Sequence, residues 1–283
     1  MLTINRILLA TTMQEKGALV PLTLQLAQAT GAEIHVVHVR EAGSPGHDAE
    51  SLASWFRQQA ANATSYPEKK LIYDVLHGDS EASAISAYAE AKAIDLLVVG
   101  TPQNERTAPG ISTAHQLIRQ TMLPVLVCPT STRTGGIQAI MAPVDFSKPA
   151  RHACLHALAL AALFRARLDV VHVVRGLASP EATDLASSVA SFCADVLGTD
   201  AEVQVAVRSG NPAARIVSAA REWGTDLIVL QTHGLAGLSR VALGSVAKRV
   251  LHDAPCAVLL LRTYGHALFH AAQRHPERRV SAG

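Results

Sequence analysis

An internal repeat constrains the fold of this chain more than any other feature of its sequence. Apolar runs of the first half recur in the same order in the second half, and this ordered recurrence indicates duplication of a whole domain. The paired runs are 7–10 with 139–142, 36–39 with 170–173, 95–99 with 226–230, and 124–127 with 255–258. The turn-rich run 130–136 lies between the copies, so the sequence predicts two domains and a short linker.

Each copy alternates short apolar runs with longer segments of helical periodicity, as in a parallel sheet covered by helices. In the first half, predicted strands cover 6–10, 34–39, 71–76, 96–100 and 125–128, and predicted helices cover 17–30, 49–64, 80–92 and a segment through Leu117. The second half repeats this order, with strands at 139–142, 168–174, 202–207, 227–230 and 256–261 and helices after Ser147, over 183–197, over 211–222 and after Ser245. The prediction is an α/β fold of two tandem doubly wound, Rossmann-like domains, each with a five-stranded parallel sheet.

Composition excludes several classes of function. The net charge is only +2 and the basic residues are dispersed, without the interleaved aromatics of a nucleic-acid site, so we expect no nucleic-acid partner. The longest apolar stretch, 154–164, is too short to span a bilayer, and we expect neither a membrane segment nor a signal peptide. The four cysteines lie in apolar patterns without a Cys-x-x-Cys pair. Buried free thiols are typical of a reducing compartment, so we expect a cytoplasmic protein.

The stretch 227–261 carries the strongest binding signal. An apolar run ends at Leu230, and Gly234 follows; Gly244 and Ser245 then stand at the start of a predicted helix. A helix start presents unpaired N–H groups and a partial positive charge, which suit a phosphate. Glycines let a ligand approach the backbone closely. The loop 234–245 is therefore predicted to hold nucleotide phosphates, with an ordinary helix start as the alternative interpretation.

The same stretch resembles the end of a universal stress protein domain, whose nucleotide-binding members carry Gly-x2-Gly-x9-Gly-[Ser/Thr]. Gly234, Gly244 and Ser245 match, whereas Gln231 stands at the first glycine. The resemblance covers 139–262 and implies that this half, and not the first, binds ATP or AMP, with a divalent metal arriving with the nucleotide. Asp145 has a simpler alternative, because an aspartate after a strand is commonly a turn or capping residue. The site residues that the resemblance implies are Pro143, Val144, Asp145, Val173, Leu230, Gln231, Gly234, Gly244, Ser245 and Val246.

Gln231 is the main departure within the second half. If the position requires a positive φ or a close backbone approach, glutamine adds strain of about 1–2 kcal/mol. That strain would weaken a nucleotide site about tenfold. The alternative is that the glutamine amide hydrogen-bonds the ligand.

The first half departs further from the pattern. By the repeat, Met13 falls where Asp145 stands, Gln103 replaces the second glycine, and Ile111 and Ser112 replace the glycine–serine pair. Only Gly100 keeps its glycine. We therefore predict no nucleotide site in this half, and a structural role as the partner of the second.

The predicted domains cover 1–134 and 135–262, followed by a tail over 263–283. The last strands, 125–127 and 258–260, are apolar and would otherwise form exposed edges. Duplicated domains commonly reproduce a homodimer contact, so the halves are predicted to pack as a pseudo-twofold pair through these strands. The whole chain is in turn a candidate homodimer.

The histidines suggest no metal centre. His38 and His172 occupy matching positions in apolar strands, which is typical of core histidines with hydrogen-bonded rings. His152 and His156 are spaced i, i+4 on one predicted helix, but no third ligand accompanies them. We expect this pair to face solvent.

Three functions stay open at this point. The first is a cytoplasmic, non-catalytic stress-response protein that senses adenine nucleotide, as the resemblance implies. The second is a slow nucleotide-hydrolysing enzyme; against it, the sequence has no P-loop and no paired carboxylates near Ser245 to hold Mg²⁺. The third is an interaction scaffold without a nucleotide, which Gln231 favours.

Overall fold

The computed structural model of the chain describes residues 3–15, 17–40, 48–61, 66–78, 80–101, 113–129, 132, 135–176, 179–197, 203–232, 243–262 and 268. The strands are β1 (Arg6–Ala10), β2 (Glu33–Arg40), β3 (Leu71–His77), β4 (Leu96–Thr101), β5 (Val125–Pro129), β6 (Ala139–Val144), β7 (Arg167–Val174), β8 (Val203–Ser209), β9 (Leu227–Gln231) and β10 (Ala257–Leu261). The helices are α1 (Leu19–Thr30), α2 (Ala49–Gln59), α3 (Glu81–Ala91), α4 (Thr113–Gln120), α5 (Lys148–Phe164), α6 (Ser179–Leu197), α7 (Pro212–Glu222) and α8 (Ser245–Asp253). A 3-10 turn, Glu68–Lys70, precedes β3.

The described strands form a single sheet in the order β3-β2-β1-β4-β5-β10-β9-β6-β7-β8. Neighbouring strands are parallel within each half, and only β5 and β10 are antiparallel. Each half has the order of a doubly wound domain, and the order reads the same from either edge of the sheet. The predicted fold of two tandem parallel sheets is confirmed, and the two sheets are continuous.

The strands β5 and β10 form the joint between the halves. Residues 125–127 lie opposite 258–260 and all are buried, so the pairing covers two apolar edges as predicted. Arg262 adds a contact across this joint. Its guanidinium donates to the backbone carbonyls of Ile118 and Arg119 at the end of α4, at 3.0 Å from the Arg119 oxygen.

Two apolar layers cover the two faces of the sheet. One layer packs α1, α2, α5 and α6 against the sheet, and the other packs α3, α4, α7 and α8. Successive strand residues point to opposite faces of the sheet, so each buried strand contributes side chains to both apolar layers. The four cysteines are buried free thiols, as predicted. Within the described part of the chain, no helix combines the length and apolarity needed to cross a membrane.

The sheet register corrects the first paired run of the repeat. Ile7 lies beside Leu96, and Ile140 lies beside Leu227. Because Leu96 and Leu227 are equivalent in the repeat, Ile7 is equivalent to Ile140. The sequence alignment paired Ile7 with Ala139 and was wrong by one residue.

The last paired run needs a larger correction. Leu97 lies beside Val125, and Ile228 lies beside Val258. Val125 is therefore equivalent to Val258 and not to Cys256, which is two residues earlier. With this alignment, exchanging the two halves superposes each residue pair between β5 and β10 on another pair of the same register. The pseudo-twofold axis therefore passes through the middle pair.

Candidate functional site

The carboxyl ends of β6, β7 and β9 lie side by side, because β6 is hydrogen-bonded to both of its neighbours. Doubly wound sheets bind ligands at this edge, where the strand order changes direction. The structure brings most of the predicted site residues there, namely Pro143 and Val144 at the end of β6, Asp145 after it, Val173 near the end of β7, and Leu230 and Gln231 at the end of β9. Gly234 lies outside the described residues.

Asp145 shapes the turn between β6 and α5. Its Oδ1 accepts hydrogen bonds from the Ser147 N–H at 3.1 Å and the Ser147 hydroxyl at 2.5 Å. The Ser147 hydroxyl oxygen accepts from the Ala150 N–H at 3.1 Å and so caps α5. Asp145 thus has the turn role that was its alternative interpretation, and its carboxylate also lies at the ligand-binding edge.

Gly244 and Ser245 begin α8, as predicted. Gly244 is the N-cap, its N–H donates to the Thr232 carbonyl at 2.8 Å, and its carbonyl accepts the first helical bond from the Lys248 N–H at 2.8 Å. The N–H groups of 245–247 therefore have no acceptor within the helix, and they lie at the positive end of its dipole. Since Ser245 is exposed, this helix start is accessible.

The backbone of Gln231 does not have a positive φ, so the first of the two conditions under which a glutamine would add strain is not met. The side-chain Oε1 is buried and has no hydrogen-bond partner among the described residues. A buried acceptor left unpaired costs about 1–3 kcal/mol, and a ligand donor at this edge would recover part of that cost.

The first half has a threonine where the second has Asp145. Met13 has φ 64° and Phe146 has φ 62°, so these two left-handed residues are equivalent. Thr12 is then equivalent to Asp145. The prediction that Met13 stands at the aspartate position was wrong by one residue, and the first half lacks a carboxylate there in either alignment.

The matching histidines hold matching turns in both halves. His38 Nδ1 lies 2.9 Å from the Thr11 carbonyl oxygen, and His172 Nδ1 lies 2.7 Å from that of Val144. Because a carbonyl only accepts, each ring carries a proton on Nδ1 and donates it. The prediction of hydrogen-bonded rings is confirmed for both histidines, and His172 is buried whereas His38 is only partly buried.

Glu15 fills the part of the first half that matches the candidate site. Its side chain is buried, with Oε2 accepting from the Thr11 hydroxyl at 2.6 Å and Oε1 from the Thr12 N–H at 3.0 Å. A Cβ on Gly100 would lie 2.7 Å from Glu15 Cγ, so this glycine makes room for the glutamate. The remaining cavity of about 30 Å³ has room for about one water molecule.

Glu15 turns inward because α1 begins one turn later than α5. In the corrected alignment Glu15 is equivalent to Lys148, the exposed first residue of α5, which follows the Ser147 cap. No side chain caps α1, and Gly17 has φ 96°. The helix predicted from Gly17 therefore begins at Leu19, and the segment before it folds over the sheet edge.

Glu81 adds a second carboxylate to the same cavity. Its Oε2 accepts a hydrogen bond from the hydroxyl of Thr113, the first residue of α4, at 2.7 Å. The helices α3 and α7 are equally long and both start directly after a capping residue, so Pro212 is equivalent to Glu81. The first half thus places two carboxylates where the second half has Lys148 and Pro212, and only the second avoids repelling a phosphate.

Neither glutamate was predicted as a site residue from the sequence. The available signal was the lack of a capping residue before α1, which leaves the chain after β1 free to turn inward with an acidic side chain. Nothing local marks Glu81, because its place in the cavity depends on the packing of α3 beside α4.

The side chains of His152 and His156 differ in exposure. His156 is buried, contrary to the expectation that both face solvent, and its Nδ1–H donates to the His152 carbonyl at 2.8 Å. Over the described ranges, no group of three or more His, Cys, Asp or Glu side chains could hold a metal ion.

Comparisons with known proteins identify the repeat. A model of the universal stress protein family matches residues 3–129 and again 136–262. A universal stress protein of Methanocaldococcus jannaschii is 32% identical over 139 residues, which cover 44% of this chain and 81% of that protein. One of Thermus aquaticus is 32% identical over 136 residues, covering 44% and 98% of the two chains. The crystal structure of a putative universal stress protein from Pseudomonas aeruginosa aligns with a TM-score of 0.68 at 21% identity, over 92% of this chain and 94% of that one, and so shares the fold.

Proposed function

Because this chain belongs to the universal stress protein family and carries two of its domains, we propose that its second half binds an adenine nucleotide and that the protein acts in the stress response without catalysing a reaction. The proposed ligand is ATP or AMP, and a divalent metal would arrive with the nucleotide. The proposed location is the cytoplasm, where the four free thiols would stay reduced.

One observation carries this proposal, namely the difference in charge between the two equivalent sites. The accessible start of α8 offers the N–H groups of 245–247 at the positive end of a helix. Lys148 is the first residue of α5, the helix that follows β6. The equivalent cavity of the first half is filled by Glu15 and faced by Glu81. A phosphate is therefore favoured in the second half and opposed in the first.

The proposed arrangement divides the ligand between the strand ends. The phosphates bind at Gly244, Ser245 and Val246, and the nucleoside lies toward Asp145 and Val173. Gln231, between these groups at the end of β9, offers its buried Oε1 to a ligand hydroxyl or amine.

Hydrolysis receives less support than binding. Phosphoryl transfer depends on carboxylates that hold a divalent metal beside the phosphates. Among the described residues at this edge, Asp145 is the one acid, and its Oδ1 already accepts two hydrogen bonds from Ser147.

Titration calorimetry with Mg-ATP and with AMP tests the proposal. Asp145→Ala is expected to raise the Kd about tenfold, or about 1.4 kcal/mol, whereas Thr12→Ala at the equivalent position of the first half leaves it unchanged. Asp145→Asn controls for the turn, because the amide oxygen can still accept from Ser147. An equal loss of nucleotide affinity in Thr12→Ala would place the ligand in the first half and contradict the proposal.

Two other results would replace the proposal. Release of inorganic phosphate from ATP by the parent, abolished in the Asp145 variants, would establish the hydrolase. Absence of binding at millimolar nucleotide, together with no nucleotide co-purifying with the native protein, would favour the scaffold.

A further inference from the structure

Four titratable side chains form a hydrogen-bonded chain in the first half, away from the candidate site. Glu33 Oε1 lies 2.9 Å from His35 Nε2, and His35 Nδ1 lies 2.8 Å from Tyr88 Oη. Tyr88 Oη in turn lies 2.5 Å from Asp74 Oδ2. The His35 side chain is buried, and the chain connects β2 through α3 to β3.

These three hydrogen bonds require three protons. The carboxylates of Glu33 and Asp74 stand at the two ends, and an ionised carboxylate only accepts. A neutral imidazole brings one N–H and a phenol brings one O–H, which together supply two protons. One more proton must therefore reside in the chain for all three contacts to be hydrogen bonds.

Tyr88 decides where the additional proton resides. Burial raises the pKa of Tyr88, and so does its hydrogen bond to Asp74, so the phenol keeps its proton and donates it to that carboxylate. Tyr88 Oη must then accept from Nδ1–H of His35, while Nε2–H donates to Glu33. We propose that His35 is held as an imidazolium between Glu33 and the Tyr88–Asp74 pair, so that this chain is a buried proton-binding site.

The second half supports this assignment from the equivalent positions. There, Arg167 and Asp169 replace the glutamate and the histidine, and the guanidinium Nε and Nη2 lie 2.9 to 3.0 Å from the carboxylate oxygens. Asp169 is buried, so the second half fills this place with a permanent ion pair. Ala206 and Ala219 stand at the positions of Asp74 and Tyr88. With a protonated His35 the first half has an ion pair too, with reversed charges and dependent on pH.

Among the described residues, two further charged groups lie next to this chain of hydrogen-bonded side chains. Arg6 Nε lies 3.7 Å from Glu33 Oε1, and Lys92 Nζ lies 5.8 Å from the centre of the Tyr88 ring. Both are cations and oppose a positive His35. Because Arg6 already shares Glu33, Asp74 is the carboxylate on which the additional proton chiefly depends.

Histidine-ring ¹⁵N NMR of the full chain at pH 7 tests the assignment. The parent is expected to show both His35 nitrogens protonated. In Asp74→Asn the new amide can donate to Tyr88, which then donates to Nδ1, so His35 is expected to be neutral with its proton on Nε2. Ala206→Asn, the equivalent change in the second half, should leave His35 as in the parent. A neutral His35 in the parent would overturn the proposal.

Discussion

The two halves of this protein share a strand order and a turn-holding histidine, yet their equivalent ligand edges differ in charge. In the first half, Glu15 and Glu81 surround what is left of the cavity. In the second half, Lys148 and Pro212 occupy those positions and the start of α8 is accessible. The difference arises from local structure, because a capped helix carries Lys148 outward while an uncapped segment turns Glu15 inward.

The two halves also differ in charge at a second pair of equivalent positions, away from the candidate site. The pair Glu33 and His35 in the first half corresponds to Arg167 and Asp169 in the second, at equivalent strand positions. Here the charges are exchanged while the backbone is kept. Duplication has therefore preserved the sheet and allowed the charged groups on it to diverge.

The largest expected effect comes from placing an acid in the second site. Ser245→Glu puts a carboxylate at the start of α8, where it competes with a phosphate for the same N–H groups. ATP affinity should fall about 100-fold, or about 2.7 kcal/mol. The unliganded protein should keep its stability or gain up to about 1 kcal/mol, since an acid at a helix start is favourable. Calorimetry and thermal unfolding measure the two quantities.

Ser245→Ala is the control for this change and should bind ATP nearly as the parent does, because the backbone N–H groups remain. Unchanged affinity in the glutamate variant would mean that phosphates do not bind at the start of α8.

The next effect concerns stability and the glycine of the first half. Gly100→Ala places a Cβ 2.7 Å from Glu15 Cγ, whose carboxylate is held by Thr11 and Thr12. Relieving this overlap breaks those hydrogen bonds or shifts the backbone, so we expect a loss of about 1–3 kcal/mol in the free energy of unfolding. Gln231→Ala is the matched change in the second half and should cost less, because it also removes a buried unpaired oxygen. Equal losses would show that Glu15 adapts freely.

Much of the fold could be predicted from the sequence because its signals are local. Alternating apolar runs, helix caps and the ordered repeat specify the parallel sheets, and the apolar last strands specify the joint. The sequence alignment of the two copies was less accurate than the prediction of their strands, since sequence matching cannot detect a shift of one or two residues in short apolar runs. The pairing of Leu97 with Val125 and of Ile228 with Val258 shows that shift directly.

The candidate site was only partly predictable for a different reason. Gly244 and Ser245 indicate a helix start from the sequence alone, and α8 begins there in the structure. Whether a loop residue such as Glu15 points into a cavity depends on where the next helix begins and on Gly100, which is distant in sequence. Whether Gln231 has a positive φ could likewise not be read from a family pattern, and the structure shows that it does not.

A third prediction addresses Gln231 as a ligand residue. Gln231→Gly removes the side chain from the end of β9 together with the Oε1 that is proposed to accept a hydrogen bond from the ligand, so ATP affinity should fall about tenfold. The unfolded chain gains freedom, so stability of the unliganded protein should fall by about 0.5–1 kcal/mol, offset in part by loss of the unpaired oxygen. Tighter binding of ATP by the glycine variant would instead show that the glutamine side chain obstructs the ligand.

The smallest expected effect lies where the halves meet. His115 on α4 and Lys248 on α8 occupy equivalent positions, because each directly follows a buried alanine of its helix. Burial lowers the pKa of His115, and the positive charge of Lys248 and the nearby His252 lower it further. A lowered pKa means that below about pH 6.5 the unfolded chain binds more protons at this residue than the folded chain. The stability contribution is therefore complete above that pH and is lost as the pH falls through it.

Urea unfolding of the parent and of His115→Gln between pH 7.5 and about 5 isolates this contribution, because all other groups titrate alike in the two proteins and cancel in the difference. The parent should lose more stability on acidification than the glutamine variant. Lys248→Gln should show an intermediate loss, since burial of His115 remains while one repulsive charge is gone. The effect is modest because the ring is only half-buried and solvent screens the charge. An equal loss in all three proteins would show that His115 makes no pH-dependent contribution to stability at the joint.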